Sequence, residues 1–295
     1  MVSRKYHIDF IINLFPAFLL AGLMVAGCSD VKEPILSSPE ITTHKSGILN
    51  ETSPNFHGNL VRENNWDLTL CKSCHAADYT GGITGKSCLT CHTQPEGPEA
   101  CNTCHGDFDD PDLIAPPRDT KDNISTDFVG VGAHTSHLLE NDLGNKIECS
   151  TCHIVPDDYS DPGHVDTGPP AEITFSNLAV HNIATNPSYD HSTATCSDVY
   201  CHGNWVFYKD SSSNQFIYVD SVIVGNAFSP VWNKVDGTQA LCGSCHLLPP
   251  TGHQNAGNDP DALTCGSCHT GIVDSEGNII DSTKHINGEI NVFGN

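Results

Sequence analysis

Apolar positions are unevenly spread along this chain. From Phe10 to Gly27 they form one run, broken by Asn13 and Pro16, behind the basic pair Arg4 and Lys5. A charged start followed by an apolar stretch of this kind predicts an export signal over residues 1–27. The run is too short and too broken for a spanning helix, which needs roughly 20 apolar residues. Beyond it, no segment repeats apolar residues at helical spacing for long, so no long amphipathic helix is expected. Residues 134–141 and the short runs entering several cysteine pairs predict helices of a few turns at most. Ala171–Leu178 and Gln215–Val224 alternate well enough to predict strands. The Ser211-Ser212-Ser213 turn and the apolar Phe216–Val224 run look like an inserted loop or hairpin.

Composition sharpens this picture. An apolar content of 38 % and an aromatic content of 7 % are thin for a self-sufficient core in 295 residues. Thirteen basic against 36 acidic residues leave a net charge of −23. Such a chain repels phosphate backbones, which excludes a nucleic-acid partner. Acidity with few aromatics also suits disorder. Fifteen cysteines argue instead for covalent organisation.

Fourteen of those cysteines fall into seven pairs, each followed by histidine. Six are C-x-x-C-H: Cys71/Cys74/His75, Cys88/Cys91/His92, Cys101/Cys104/His105, Cys149/Cys152/His153, Cys242/Cys245/His246 and Cys265/Cys268/His269. The seventh is wider, Cys196-Ser-Asp-Val-Tyr-Cys201-His202. C-x-x-C-H is the attachment signature of c-type haem. Two thiols add to the two vinyl groups of one porphyrin, and the next histidine ligates iron beneath the ring. In the wide site, the four intervening residues must bulge to keep both sulfurs at the vinyl positions. Structural zinc and disulfides also use paired cysteines, but neither requires a histidine after each pair. The expected cofactor is therefore seven covalently attached haems c.

The fifteenth cysteine, Cys28, follows Val25-Ala26-Gly27 and is read as the lipidated residue of a bacterial lipobox. Residues 28–53 then read as a polar tether. Beyond it we expect three haem-bearing segments: residues 54–118 for haems one to three, 119–189 for haem four, and 190–295 for haems five to seven.

The sixth iron ligand of a cytochrome is usually methionine or histidine. Both methionines, Met1 and Met24, lie in the signal, so distal ligation falls to histidine. Nine candidates remain besides His7 and the seven motif histidines. His57, His134, His137, His253 and His285 rank first, followed by His44 and His164; His181 and His191 are reserves. His134 and His137 lie three apart, one helical turn, so both can face one haem cluster. Bis-histidine ligation throughout predicts low-potential haems.

The C-terminal third is specific. Thr195 to Gly203, then Trp232, Cys242 to His246, Pro249-Pro250 and His253 resemble the CxxxxCH/CxxCH multihaem lipoprotein cytochromes of Geobacter-type metal-reducing bacteria. The closing Lys284-His285-Ile286-Asn287-Gly288 is similar too. The match is strong over about residues 190–295 and looser over 55–110 and 130–170. It implies an outer-membrane electron-transfer cytochrome. The residues themselves predict a multihaem cytochrome c fold with little regular secondary structure, short helices at the haem sites, a minor β-hairpin and a core of stacked haems in place of the thin apolar one. Implied partners are periplasmic or outer-membrane cytochromes, a porin–cytochrome conduit, metal oxides or metal ions, and the membrane through the lipid anchor. No catalytic residue is expected in an electron carrier.

Two other functions fit less well. A multihaem reductase of nitrogen or sulfur oxyanions needs one iron with an open sixth position, and the wide Cys196–Cys201 site is where to look for it. An acidic chain is a poor concentrator of such anions. A subunit of a stacked-haem filament would lend a histidine to its neighbour, which suits an anchored N-terminus poorly.

Overall fold

The computed structural model describes residues 43–110, 112–113, 118–139, 141–254 and 265–294. The predicted signal, Cys28 and the first part of the tether lie outside them. The chain divides into two compact units, residues 1–63 and 64–295. In the first, linked turns run from Gly47 to Phe56 and lead into helix α1, His57–Glu63.

In the second unit, every element is short. Helices α2 (Thr69–His75), α3 (Cys101–Cys104), α4 (His134–Leu138) and α5 (Cys265–Cys268) are one or two turns each. Strands β1 (Ser188–Asp190) and β2 (Thr195–Ser197) pair antiparallel, with Tyr189 opposite Cys196. Strands β3 (Val206–Tyr208) and β4 (Val222–Val224) form a second antiparallel pair, with Phe207 opposite Ile223. No described helix is long and apolar enough to cross a membrane.

Three of the four α-helices of this unit carry a cysteine motif, and the motif also limits them. An i, i+3 cysteine pair needs one turn to bring both sulfurs to one face, and little follows to extend it. The packed apolar core is small: Ile217, Tyr218 and Ile223, flanked by Trp205 and Phe207. Large apolar side chains instead stay exposed beside the motifs, among them Leu70, Leu89, Ile154, Leu247 and Leu248. The expectation of little regular structure holds.

Three predicted elements need correction. Residues 171–178 form no strand. Their backbone bonds go to the fourth cysteine loop instead: Thr174 N–H donates to Cys152 O at 2.8 Å and Ser176 N–H to Thr151 O at 2.9 Å. Asn177–Val180 then closes as a 3₁₀ turn. Of Gln215–Val224, only Val222–Val224 forms a strand: Gln215–Ile217 is a 3₁₀ turn, and Tyr218 makes a single bridge to His253. The hairpin does exist, but its first arm is β3, ahead of the serine turn. The helix predicted over residues 134–141 ends at Leu138, and Asn141 stops it: its Nδ2 donates to Ser136 O at 3.0 Å while its Oδ1 accepts from Leu143 N–H at 2.9 Å. The strand pair β1/β2 has no clear alternation in sequence, so pattern alone does not predict it.

Candidate haem sites

Each of the six C-x-x-C-H motifs is built on a short turn, though the kind of turn differs. Cysteine–cysteine spacing is held by a helical turn in α2, α3 and α5, and by 3₁₀ turns over Cys88–Thr90 and Cys149–Thr151. Residues 242–246 make a plain turn, with Ser244 N–H bonded to Leu241 O at 3.0 Å. In four motifs the histidine N–H returns to the first cysteine's carbonyl: His92 to Cys88 at 3.0 Å, and His105, His153 and His269 to Cys101, Cys149 and Cys265 at 2.9 Å each. The histidine is thus fixed at the end of the same turn that presents both thiols.

The second cysteines of the first two motifs, Cys74 and Cys91, differ in setting. Cys74 lies inside α2, next to His75, and is half-buried. The 3₁₀ turn Gly82–Thr84 packs directly on its backbone, since a Cβ added at Gly82 would lie 2.5 Å from Cys74 O. Cys91 lies outside the 3₁₀ turn that holds Cys88. It caps that turn's C-terminus, its N–H bonded to Cys88 O at 3.1 Å, and it is exposed where Cys88 is half-buried. A turn of three residues ends before the second cysteine, whereas the longer α2 encloses both Cys71 and Cys74.

The wide motif solves its extra length differently. Cys196 sits in β2, its N–H bonded to Pro230 O at 3.0 Å. Asp198 takes a φ of +59°, the bulge that the spacing required. A 3₁₀ turn over Tyr200–His202 then carries the second cysteine. Asn204, buried, ties the bulge down by donating to Asp198 O at 2.6 Å and Thr185 O at 2.7 Å.

None of the fourteen motif cysteines pairs in a disulfide. Burial pushes Cys104, Cys152 and Cys196 up to about 11 and Cys201 up to about 12, with neighbouring thiols adding to the effect. Among the described residues, no three His, Cys, Asp or Glu side chains converge as a structural metal site would need.

The histidines do converge, in pairs. His105 and His164 have ring centres 6.2 Å apart, and His134 and His153 6.3 Å. His137 and His202 are 6.1 Å apart, and His246 and His285 6.4 Å. Each pair joins one motif histidine to one outside the motifs, and no residue recurs. These distances are too long for face contact between rings. They match two imidazoles on opposite sides of one metal ion: metal–nitrogen bonds of about 2.0 Å, with each ring centre about 1.1 Å behind its nitrogen, give about 6 Å.

Ring nitrogens agree with this use. Nδ1 faces a backbone carbonyl in His134 (Val131 O, 2.8 Å), His137 (Ala133 O, 2.7 Å), His153 (Glu172 O, 3.0 Å), His164 (Tyr159 O, 2.9 Å) and His246 (Leu247 O, 2.8 Å). His285 makes the same bond to Leu143 O. A carbonyl can only accept, so Nδ1 holds the proton and Nε2 keeps its lone pair. That is the arrangement by which metal-ligating histidines are oriented. Burial also lowers the pKa of His134 and His202 to about 4, and that of His137 and His285 below its usual value, which keeps the rings neutral.

The other predicted ligands are placed as follows. His75, His253 and His269 also aim Nδ1 at carbonyls: Lys86 O at 2.8 Å, Gln254 O at 2.7 Å and Asn291 O at 2.9 Å. His92 packs edge-on to Phe108, with centres 5.2 Å apart. In the first unit, His57 Nδ1 lies 3.0 Å from Ile48 O, and His44 is exposed. His181 differs: its Nε2 accepts from Asn182 Nδ2 at 3.0 Å. His191 is exposed and lies edge-on to Tyr189.

Sequence reasoning undervalues one residue. Trp232 lies edge-on to His134 at 4.7 Å and tilted over His137 at 5.5 Å. The sequence offers it only as part of a family pattern. Its contact with the two histidines spans about a hundred residues and has no local signal.

The family model described as the Geobacter CxxxxCH...CXXCH motif matches residues 195–246. No curated protein and no solved structure matches the chain. Over this segment, the wide Cys196/Cys201/His202 site and the Cys242/Cys245/His246 site are thus similar to the Geobacter CxxxxCH...CXXCH motif family, and the repeated CxxCH sites indicate covalently bound haem c.

Proposed function

We propose that this chain is a seven-haem, bis-histidine, low-potential c-type cytochrome that carries electrons by hopping from haem to haem. The four histidine pairs at 6.1 to 6.4 Å give this reading its main support. When bound, haem c supplies an iron that cycles between ferric and ferrous states and so takes up and passes on single electrons. The protein's part is to hold and enclose. Cysteines would anchor the haems, and the motif histidines together with His134, His137, His164 and His285 would ligate iron. His44, His57 and His253 are the remaining distal candidates. Backbone carbonyls on Nδ1 of His134, His137, His153, His164, His246 and His285 keep these imidazoles in the ligating tautomer. Exposed leucines and isoleucines beside the motifs supply apolar contact and keep water from the rings. An iron held by two histidines would have no position open to a substrate.

In this reading Cys28 is lipidated and anchors the protein at the outer membrane. Electrons pass to and from other redox cytochromes and on to metal oxides or metal ions. The acidic surface favours basic or cationic partners.

The test is haem content with iron spin state. Pyridine haemochrome analysis and mass spectrometry should give seven haems per chain, and low-temperature EPR should show only low-spin ferric signals. A stoichiometric high-spin signal would mean an open iron and a reductase. Six haems would remove the wide site from the set.

A further inference from the structure

Helix α4 is only five residues long, yet it supplies two of the four facing histidines. His134 faces His153, the histidine of the Cys149/Cys152 motif, and His137 faces His202, the histidine of the wide motif. Their spacing of three puts both rings on one side of a single turn. Each aims Nδ1 at a carbonyl within or just before the helix. Trp232 touches both rings. Its indole is fixed because Nε1 donates to Val129 O at 2.8 Å. Room for it comes from Gly132, where an added Cβ would lie 2.0 Å from Nε1.

The ring planes differ within this one cluster. His134 and His153 lie at 28°, whereas His137 and His202 lie at 64°. In low-spin ferric haem, near-parallel imidazoles split the iron's two π-bonding orbitals and give a rhombic EPR signal. Crossed imidazoles leave those orbitals nearly equal and give one strongly anisotropic signal at large g.

We propose that α4 is a two-haem clamp: His134 is the distal ligand at the Cys149/Cys152/His153 site, His137 is the distal ligand at the Cys196/Cys201/His202 site, and Trp232 is the positioning residue that sets both rings. The inference rests on the bis-histidine reading above. It joins the fourth haem rigidly to the first haem of the family motif and makes the two electronically distinct. His105/His164, at 22°, belongs with the rhombic class, and His246/His285, at 70°, with the anisotropic one.

The test uses the purified holoprotein and His134→Ala, His137→Ala, His134→Met and Trp232→Phe variants. Thioether bonds hold haem in every variant, so the haem count by mass should stay at the wild-type value. His134→Ala should convert one haem equivalent from rhombic low-spin to high-spin. His137→Ala should convert one equivalent from the large-g signal. His134→Met keeps a ligand in place and should give a far-red sulfur-to-iron absorption band and one haem of raised potential, in a chain with no other methionine beyond residue 24. Trp232→Phe should stay low-spin and shift the g-values of one rhombic and one large-g signal. The clamp is overturned if either alanine variant stays fully low-spin, if both lose the same signal, or if the methionine band fails to appear. Unshifted g-values in Trp232→Phe would overturn the positioning role. Failure of the haem reading itself would show earlier, as wild-type protein without seven low-spin haems.

Discussion

Gly203, the residue after the wide motif's histidine, joins two haem sites through backbone alone. Its φ is +90°, and an added Cβ would lie 1.9 Å from the carbonyl oxygen of Cys245, in the next motif. A backbone oxygen cannot swing aside as a side chain can. Ordinary contact needs about 3.5 Å, so Gly203→Ala must push the two segments apart by more than about 1 Å. Residues 226–228 bridge the two segments with three hydrogen bonds: Asn226 N–H to Cys245 O at 2.9 Å on one side, and Ala227 N–H to Gly203 O at 3.0 Å and Phe228 N–H to His202 O at 2.9 Å on the other. Losing two of them costs about 2 kcal/mol. The left-handed backbone adds about 1 kcal/mol for a residue with a Cβ. The expected loss is about 3 kcal/mol. Gly271 is the control, because its φ is +80° but nothing lies within 4 Å of its added Cβ. Gly271→Ala should therefore show the backbone cost alone, about 1 kcal/mol. Guanidinium titrations, followed by the recovery of tryptophan fluorescence from haem quenching, would compare the two. Equal midpoints for the two variants would refute the claim that close packing of residue 203 on Cys245 holds these sites together.

Asn204→Ala removes both donors to Thr185 O and Asp198 O and should cost about 2–3 kcal/mol, read as a lowered denaturation midpoint. Tyr200 is buried, and that burial, the largest cause, raises its pKa from 10.0 to about 12. The unfolded chain gives up this proton first, so stability is full below about pH 10 and falls as pH rises toward 12. Tyr200→Phe should flatten that decline in denaturation midpoints measured across the range. His181 spends its Nε2 on Asn182, so His181→Ala should leave every haem low-spin by EPR. A new high-spin signal there would place His181 among the ligands.

Covalent chemistry was the legible part of this protein. Seven cysteine pairs with histidine behind each state what is bound and where, because attachment geometry is local and needs only a turn of chain. The kind of turn was less legible: nothing in the two C-x-x-C-H strings separates Cys74, enclosed by a helix, from Cys91, exposed at the end of a 3₁₀ turn. The lack of long helices could be read because frequent glycine, proline and motif residues leave no room for helical periodicity. Composition also restricted the expected distal ligands to histidine. What no local pattern carries is which histidine meets which. His137 and His202 are 65 positions apart, and His246 and His285 are 39 apart. Their meeting is decided by contacts such as Trp232 Nε1 with Val129 O and His285 Nδ1 with Leu143 O, which the folded backbone alone brings together. The failed strand at 171–178 has the same cause. Its alternation was real, but a strand forms only where a partner edge exists, and here the nearest hydrogen-bonding backbone belonged to a cysteine loop. The motifs name the cofactor from sequence alone; tertiary structure sets the ring pairs and their angles, because it brings together residues that the chain does not hold near one another.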